Sequence, residues 1–384
     1  MSFQPRPYQT EAVSRAVDFF SSDRPGNGLE ILPTGSGKSV VIANIASNIS
    51  GKTVVFQPSK EILEQNYRKY TSYGYRAGIY SASAGAKHLG EVTFATIGSV
   101  IRKKHIFREF SNIIIDECHL VNPEGGMYHD FIKSHDHMKV LGLTATPYRL
   151  SSTMEGSMLK FLTRTKPRIF DRILYSVQNK VLFDAGFLAP LEYFSFDVVD
   201  RRMLMVNSNG SDFDQRSLRQ YYQKINMPQQ TAYWATRLLA KRKNLLIFCS
   251  LLEEAYQTAH LIDGAVVLTG DTPKPERERI LAAFTSGKIR CLVNVGVLTT
   301  GFDYPELECV LLARSTMSLA LYYQMIGRVM RPHPGKQSGW VVDLGGNLAM
   351  FGKIETMRLE WDRNSKPIIT NGGRQLTNIL FSKA

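Results

Sequence analysis

Residues Gly28–Ser39, with the sequence GLEILPTGSGKS, join a short apolar run to a glycine-rich loop that ends in lysine and serine. The run Gly28–Leu32 predicts a β-strand, and Val40–Ser47 predicts the helix that follows the loop. Glycines let backbone N–H groups converge on phosphate oxygens, and the helix directs its positive end towards them. This strand–loop–helix context predicts a nucleotide triphosphate site at Leu32–Ser39.

The side chains of this loop suit ATP and Mg²⁺ as cofactors. We expect Lys38 to reach the β- and γ-phosphates and the Ser39 hydroxyl to bind Mg²⁺. The strict phosphate-loop pattern has glycine at the position of Leu32, so the loop departs from it there. The expected nucleotide-binding residues of the loop are Pro33, Thr34, Gly35, Ser36, Gly37, Lys38 and Ser39.

Two carboxylates close another apolar run. Asp116 and Glu117 follow Asn112–Ile115, and α/β folds bind their ligands at the carboxyl ends of strands. We expect Asp116 to hold Mg²⁺, directly or through water, and Glu117 to orient the attacking water or accept its proton. Acidic pairs after strands are also common in solvated turns, but the phosphate loop upstream favours the catalytic interpretation.

A third element, Gln324–Arg331, has the sequence QMIGRVMR. Arg328 and Arg331 are three residues apart, which predicts that they share one face of a helix with Gln324. We expect both arginines to reach the γ-phosphate from a second domain, as arginine fingers that raise rates by roughly 10³–10⁵. The alternative for such a pair is a solvated stripe of charge.

The arrangement of apolar runs predicts two α/β domains, each a doubly wound parallel sheet. The first domain is expected at 1–190, the second at 191–350 with a polar loop near 200–217, and 351–384 is a tail without an assignable pattern. Arg164–Gly186 is expected to form one connecting helix. The predicted strands are Gly28–Leu32, Thr53–Gln57, Val92–Ala95, Asn112–Ile115 and Lys139–Leu143, then Asn244–Cys249, Ala265–Leu268, Ile289–Val293, Cys309–Leu312 and Gly339–Asp343.

Composition restricts the partners and the compartment. The chain has 384 residues and a net charge of +13, which favours a polyanion such as nucleic acid as its partner. The four cysteines are not at CxxC spacing, so neither zinc nor a disulfide framework is expected. No apolar run approaches the roughly 20 residues of a membrane span, and Met1–Pro5 does not resemble a signal peptide. We therefore expect a cytoplasmic protein.

Taken together, the motifs resemble those of superfamily 2 helicases of the DExH type, which have two tandem RecA-like domains with the ATP site in the cleft between them. The resemblance covers nearly the whole chain. The matching elements, in order, are Pro5–Gln9, Leu32–Ser39 (motif I), Pro58–Gln65 (Ia), Thr96–Ser99, Asp116–His119 (II), Leu143–Pro147 (III), Ile247–Ser250 (IV), Gly301–Asp303 (V) and Gln324–Arg331 (VI).

The resemblance implies further functional residues. Gln9 would contact the adenine base, and Gly301 and Asp303 would contribute to nucleotide binding from motif V. Residues implied in strand contact, or in coupling it to hydrolysis, are Pro58, Thr96, Ser99, His119, Thr144 and Thr146.

A closer resemblance is to the RadD-like and UvsW-like DNA repair helicases of bacteria and phages. Thr146–Leu150, Asp184–Pro190 and Gly301–Pro305 indicate this group, although RadD-like proteins carry a C-terminal cysteine cluster that this chain lacks. The implied function is an ATP- and Mg²⁺-dependent DNA helicase or translocase in repair, recombination or replication. It would bind single-stranded, forked or branched DNA mainly through phosphates. We expect a monomer or a weakly self-associating protein in a bacterial or phage-infected cell.

Three alternatives stay open. Contacts through phosphates and hydroxyl groups do not exclude an RNA helicase. A duplex translocase that never separates strands would carry the same motifs. A non-enzymatic, ATP-gated clamp is disfavoured because it would not require Glu117 or both Arg328 and Arg331.

Overall fold

The computed structural model describes residues 5–153, 156–208, 210–299 and 301–381. Its chain divides into two compact units, one formed by Met1–Arg149 with Lys160–Gln178 and the other by Leu150–Leu159 with Asn179–Ala384. The second unit thus takes in Leu150–Leu159 and continues from Asn179, and the domain boundary at residue 190 stays a prediction. Met1–Gln4, on which the prediction about a signal peptide mainly rests, lie outside the described residues.

Strands and helices alternate along most of the chain. The strands are β1 (Gly28–Ile31), β2 (Thr53–Phe56), β3 (Gly78–Ser81), β4 (Ala86–His88), β5 (Val92–Ala95), β6 (Asn112–Asp116), β7 (Lys139–Thr144), β8 (Tyr148–Thr153), β9 (Gly156–Phe161), β10 (Arg172–Ser176), β11 (Leu191–Ser195), β12 (Leu245–Phe248), β13 (Ala265–Leu268), β14 (Cys291–Asn294), β15 (Cys309–Leu312), β16 (Gly339–Asp343), β17 (Met357–Trp361), β18 (Pro367–Asn371), β19 (Arg374–Gln375) and β20 (Leu380–Phe381). The α-helices are α1 (Pro7–Ser21), α2 (Lys38–Asn48), α3 (Lys60–Thr71), α4 (Ile97–Val100), α5 (Met127–Lys133), α6 (Asn179–Asp184), α7 (Gln215–Lys224), α8 (Met227–Leu239), α9 (Leu252–His260), α10 (Lys274–Thr285), α11 (Leu319–Ile326) and α12 (Asn347–Phe351). All of the predicted strands form near their predicted bounds.

The first unit contains one large sheet with the strand order β10-β1-β7-β6-β2-β5-β3-β4. Its strands pair in parallel except β4, which is antiparallel to β3. Every residue of β1, β2, β5 and β6 is buried, as expected for strands that are covered on both faces. Because the central strands are parallel, their carboxyl ends meet at one edge of the sheet, where the predicted motifs of this unit begin.

The prediction that Arg164–Gly186 forms one connecting helix was wrong. Arg172–Ser176 forms β10 instead, which pairs with β1 at the edge of the sheet, and only Asn179–Asp184 is α-helical. Pro167 disfavours a helix through this segment. β10 forms because the backbone at the edge of β1 provides hydrogen-bond partners for it. A local sequence pattern does not reveal such partners.

The second unit is built around a parallel sheet with the order β11-β16-β15-β12-β14-β13. The tail without an assignable pattern contains a small antiparallel sheet, β17-β18-β19, and β20 pairs with β9. Within the predicted polar loop, Val206 and Phe213 form an antiparallel bridge, and Asn209 lies outside the described residues. All four cysteines are free and buried.

A buried lysine holds two segments of the second unit together. Lys336 is 8% exposed, and burial lowers the pKa of its ammonium group to about 8. Its Nζ donates hydrogen bonds to the carbonyl oxygens of Pro305, Leu307 and Val329, at 2.8, 3.1 and 3.2 Å.

None of the helices in the described ranges combines the length and the apolar character that membrane crossing requires.

Candidate functional site

The loop between β1 and α2 has the backbone conformation of an anion site. Gly35 and Gly37 adopt left-handed φ angles of 82° and 79°, and α2 begins at Lys38, directly after Gly37. A Cβ atom on Gly37 would lie 2.6 Å from Nε2 of Gln9, so only glycine fits both the dihedral angle and the space. Because α2 begins directly after the loop, N–H groups of its first turn are available for phosphate binding.

Gln9 lies against this loop. It is 1% exposed, and its Nε2 donates to the carbonyl oxygen of Ser36 at 2.7 Å. Its Oε1 accepts from the Arg6 backbone N–H at 2.9 Å, and the Tyr8 hydroxyl donates to the same Ser36 oxygen at 2.6 Å. Helix α1 thus fixes the shape of the loop. The contact between Gln9 and an adenine base stays a prediction.

Lys38 and Glu117 form an ion pair, with Nζ 3.2 Å from Oε1. The other carboxylate oxygen of Glu117 lies 3.3 Å from Nδ1 of His119. Burial alone would raise the pKa of Glu117, but the charge of Lys38 and the contact with His119 outweigh it and hold the pKa well below its usual range. Glu117 is therefore ionised at neutral pH. Because a carboxylate with a lowered pKa is a weak base, orienting a water suits it better than accepting a proton.

His119 connects this pair to the end of β7. Its Nδ1 lies 2.9 Å from Oγ1 of Thr144 and 3.1 Å from Oγ1 of Thr146. Both threonines are fully or almost fully buried, and the Thr146 N–H donates to Oγ1 of Thr144 at 3.0 Å. Arg149 donates to the His119 carbonyl oxygen at 3.1 Å. The ends of β6 and β7 are thereby joined by side chains, and the coupling role of His119, Thr144 and Thr146 stays a prediction.

Asp116 lies at the end of β6 and is 4% exposed. Its Oδ1 accepts from the Glu117 N–H at 2.9 Å, and its Oδ2 accepts from Nδ2 of Asn66 at 3.1 Å. Burial, with a smaller effect of the charge on Glu117, raises the pKa of Asp116 above its usual range. A cation would offset this buried negative charge. Mg²⁺ prefers oxygen ligands and usually takes one or two carboxylates plus phosphates, so Asp116 and the Ser39 hydroxyl fit it.

Sequence reasoning missed two buried amides near these residues. Asn66 on α3 and Gln57 directly after β2 are each 1% exposed. Neither Oδ1 of Asn66 nor either amide atom of Gln57 has a hydrogen-bond partner among the described residues. The available signal was a polar residue at a position where the helical or strand pattern calls for an apolar one.

The residues implied in strand contact lie further along the same edge. Thr96 follows β5, and its Oγ1 lies 3.0 Å from the hydroxyl oxygens of both Ser99 and Ser81. Ser99 also accepts from the Ala82 N–H at 2.9 Å, and Pro58 is half-buried beside the end of β2. Hydroxyl groups such as these can bind phosphates without reading sequence. Their contact with nucleic acid stays a prediction.

In the second unit, the prediction that Arg328 and Arg331 share one face of a helix was wrong. Helix α11 contains Gln324 but ends at Ile326, and both arginines lie in the turns that follow it. Pro332 follows these turns, and proline restricts the residue before it to extended conformations, so the helix does not continue.

Both arginines contact motif V in this unit. Arg328 is 8% exposed, and its Nη1 donates to the carbonyl oxygen of Phe302. Nη1 of Arg331 lies 2.5 Å from Oδ1 of Asp303. Gly301 adopts a φ of 74° at the start of this segment. The arrangement brings motifs V and VI together, and the roles of these residues in nucleotide binding stay predictions.

Comparison with known proteins gives two family matches. Residues 2–149 match the family "Type III restriction enzyme, res subunit", and residues 230–333 match "Helicase conserved C-terminal domain". The first range contains the phosphate loop and Asp116–His119, and the second contains Gln324–Arg331.

Several individual proteins are similar in sequence to most of this chain. It is 26% identical over 331 residues to the 51.5 kDa protein of a Lactococcus phage (isolate 7-9), covering 84% of this chain and 67% of that protein. It is 25% identical over 357 residues to the DNA 3′-5′ translocase XPB2 of Sulfurisphaera tokodaii, covering 85% and 78%. The chain spans about half the length of further curated relatives from Saccharomyces cerevisiae and Halobacterium salinarum (51% and 53%).

The fold also matches solved structures. The ATP-dependent Type ISP restriction-modification enzyme LlaBIII bound to DNA superimposes with a TM-score of 0.65 at 17% identity, covering 88% of this chain and 27% of that chain. Structures with this fold include helicases with tandem RecA-like domains. The predicted fold, two tandem α/β domains of this type, is confirmed.

Proposed function

Because this chain belongs to the superfamily 2 helicases, we propose that it is an ATP- and Mg²⁺-dependent DNA helicase or translocase. It would couple ATP hydrolysis to movement along DNA or to its remodelling. The observation that carries this proposal is the contact of Lys38 with Glu117, 3.2 Å apart, with His119 and Thr144 behind them. In this proposal Lys38 is the cation that binds phosphate, Glu117 is the carboxylate that orients water, and His119 connects them to β7. The closer resemblance to RadD-like and UvsW-like helicases stays a prediction.

Each group at this edge has a task in hydrolysis. The N–H groups of the phosphate loop would bind the phosphates, and Lys38 would exchange its contact with Glu117 for one with the γ-phosphate. Asp116 and Ser39 would hold Mg²⁺, which neutralises charge on the phosphate oxygens. Glu117, held by His119, would then orient the attacking water. Arg328 and Arg331 are proposed to supply positive charge to the γ-phosphate.

DNA is the proposed partner. Support comes from the net charge of +13 and from the XPB2 relative, which is named as a DNA 3′-5′ translocase. We therefore also propose movement in the 3′-5′ direction. Binding through phosphates should be independent of sequence and should weaken steeply with added salt, because released counterions drive it.

The first test is ATP hydrolysis in Mg²⁺ without nucleic acid, and then with single-stranded DNA, forked DNA or RNA at matched nucleotide concentration. We expect strong stimulation by DNA, and Lys38→Ala should abolish hydrolysis because the γ-phosphate loses its cation. Lys52→Ala is the control, since Lys52 pairs with the exposed Glu109. Retention of most DNA-stimulated turnover by Lys38→Ala would refute the assignment, and stimulation by RNA alone would favour an RNA helicase.

Glu117→Gln separates binding from hydrolysis. This variant should bind ATP and DNA but turn over very slowly, because the neutral amide orients water less well than the carboxylate. Fluorescent nucleotide binding and DNA anisotropy measure the first property, and phosphate release measures the second. If ATP affinity disappeared instead, Glu117 would be a binding or structural residue.

Movement and strand separation need separate assays. Displacement of streptavidin from biotinylated 3′ or 5′ ends reports direction, and release of a strand from forked duplex reports unwinding. Streptavidin displacement from one end without strand release would identify a translocase that does not separate strands.

A further inference from the structure

The carboxylate proposed to bind Mg²⁺ is held by a side chain that no motif includes. Asn66 lies on α3, 50 residues before Asp116, and its Nδ2 donates to Oδ2 of Asp116 at 3.1 Å. Both side chains are buried, with 1% and 4% exposure. A buried donor that reaches this far along the chain to one carboxylate oxygen is a specific contact.

Two donors fix the plane of the Asp116 carboxylate. The Glu117 N–H holds Oδ1 at 2.9 Å, and Asn66 holds Oδ2. The first donor is the N–H of the next residue, and Glu117 itself adopts a left-handed φ of 50°, which costs a non-glycine residue roughly 1–3 kcal/mol. The second donor comes from a different element, so removing Asn66 would free one side of the carboxylate and leave the other held.

Asn66 also retains an unused acceptor. Its Oδ1 is buried and has no hydrogen-bond partner among the described residues, although buried polar atoms nearly always have one. Mg²⁺ in proteins keeps several of its waters, and such waters are hydrogen-bond donors. One amide could therefore hold the carboxylate through Nδ2 and accept from a metal-bound water through Oδ1.

We infer that Asn66 is a positioning residue for the metal, which acts by orienting Asp116 and by accepting a hydrogen bond from Mg²⁺-bound water. This inference rests on the proposed function. Groups of this kind, one step beyond the ligands, typically change metal affinity by about 10–100-fold. Asn66 also joins the metal site to α3, the helix that follows Pro58.

The test measures metal dependence by equilibrium binding. A fluorescent, non-hydrolysable ATP analogue is held at a fixed concentration and titrated with Mg²⁺, using the full chain and the Asn66→Leu variant. We expect the half-saturating Mg²⁺ concentration to rise by about 10–100-fold, while binding in EDTA stays within about twofold because the phosphate loop is unchanged. At saturating Mg²⁺, hydrolysis should recover, which a general structural defect would not allow.

Asn112→Leu is the matched control. Asn112 is also buried and lies at the opposite end of β6, where its Nδ2 donates to the Ser50 carbonyl oxygen at 2.8 Å. It should lower stability without changing the Mg²⁺ titration. Asn66→Ser is a second variant in case Asn66→Leu does not fold, and a smaller shift in the same direction is expected.

The outcomes separate the two proposals. A wild-type Mg²⁺ titration in the folded Asn66 variants would refute this inference alone. Absence of Mg²⁺-dependent analogue binding in the wild-type chain would refute the proposed function and this inference with it. An equal shift in Asn112→Leu would also overturn the inference, since the effect would then follow from lost stability.

Discussion

Glu254 is a buried carboxylic acid in the first turn of α9. It is 2% exposed, and its Oε2 accepts from the backbone N–H groups of Ser250 and Leu251 at 3.0 and 3.2 Å. Its Oε1 has no hydrogen-bond partner among the described residues. Burial raises the pKa of Glu254 from 4.5 to about 8, although the two N–H groups act in the opposite direction. The native chain therefore keeps a proton here that the unfolded chain loses.

This difference makes stability depend on pH. Between the unfolded pKa of 4.5 and the native pKa of about 8, the native state binds more protons than the unfolded state, so the free energy of unfolding falls as pH rises. One pKa unit corresponds to roughly 1.4 kcal/mol. Raising the pH from 5 to 8 should thus remove on the order of 3 kcal/mol from the second unit.

Glu254→Gln should abolish this loss, because the amide oxygen can still accept from both N–H groups and carries no charge. The variant should match the wild type near pH 5 and be more stable by on the order of 3 kcal/mol at pH 8. Urea unfolding followed by tryptophan fluorescence reports on the second unit specifically, since Trp234, Trp340 and Trp361 all belong to it.

Glu253→Gln is the matched control for this measurement. Glu253 is the preceding residue, its side chain is 45% exposed, and it pairs with Arg219 at the surface. Exposed pairs contribute about 0–1 kcal/mol, so this variant should follow the wild type at every pH. Parallel pH curves for wild type and Glu254→Gln would refute the reasoning.

Two further predictions concern the phosphate loop and the buried lysine. Gly37→Ala should weaken binding of a fluorescent ATP analogue by about tenfold or more, since the left-handed conformation alone costs roughly 1–2 kcal/mol and the new methyl group would collide with Gln9. Gly74→Ala is its control, because Gly74 has a φ of 87° but open space around it, and equal effects in both variants would contradict the prediction. Lys336→Met should lower the free energy of unfolding of the second unit by about 1–3 kcal/mol, because three buried carbonyl oxygens lose their donor. Urea unfolding measures this, and an unchanged midpoint would count against it.

The sequence predicted much of the fold because the central strands follow a simple physical rule. A parallel strand covered on both faces must be largely apolar along its length. Runs such as Asn112–Ile115 can therefore be recognised as strands from the sequence, without knowing which strands they pair with. Asp116 is the last residue of β6, at the end of the strand where parallel sheets bind their ligands. Motif spacing then predicts which strand ends carry chemistry.

Other features depend on partners that are distant along the chain. β10 forms because β1 has an open edge to pair with, and a local pattern cannot reveal such an edge. Glu30 breaks the apolar rule, because it lies within β1 and is fully buried with no partner for either oxygen among the described residues. In the sequence Asn66 cannot be distinguished from other polar helix residues, because its contact with Asp116 depends on the fold. The end of α11 also depends on distant partners. Arg328 and Arg331 lie beyond its last residue and contact motif V instead.

The buried polar atoms that lack partners are distributed in a way that supports a ligand site. Within the described part of the first unit, the residues with such atoms are Glu30, Ser36, Gln57, Asn66 and Tyr73. Ser36 lies in the phosphate loop, Gln57 follows β2, and Asn66 touches Asp116, so three of the five are at the carboxyl edge of the sheet. Each buried atom without a partner costs about 1–3 kcal/mol. A parallel sheet with buried central strands can tolerate that cost, and a nucleotide with its cation would supply the missing partners. Within the described part of the first unit, most of this cost therefore falls where binding energy can offset it.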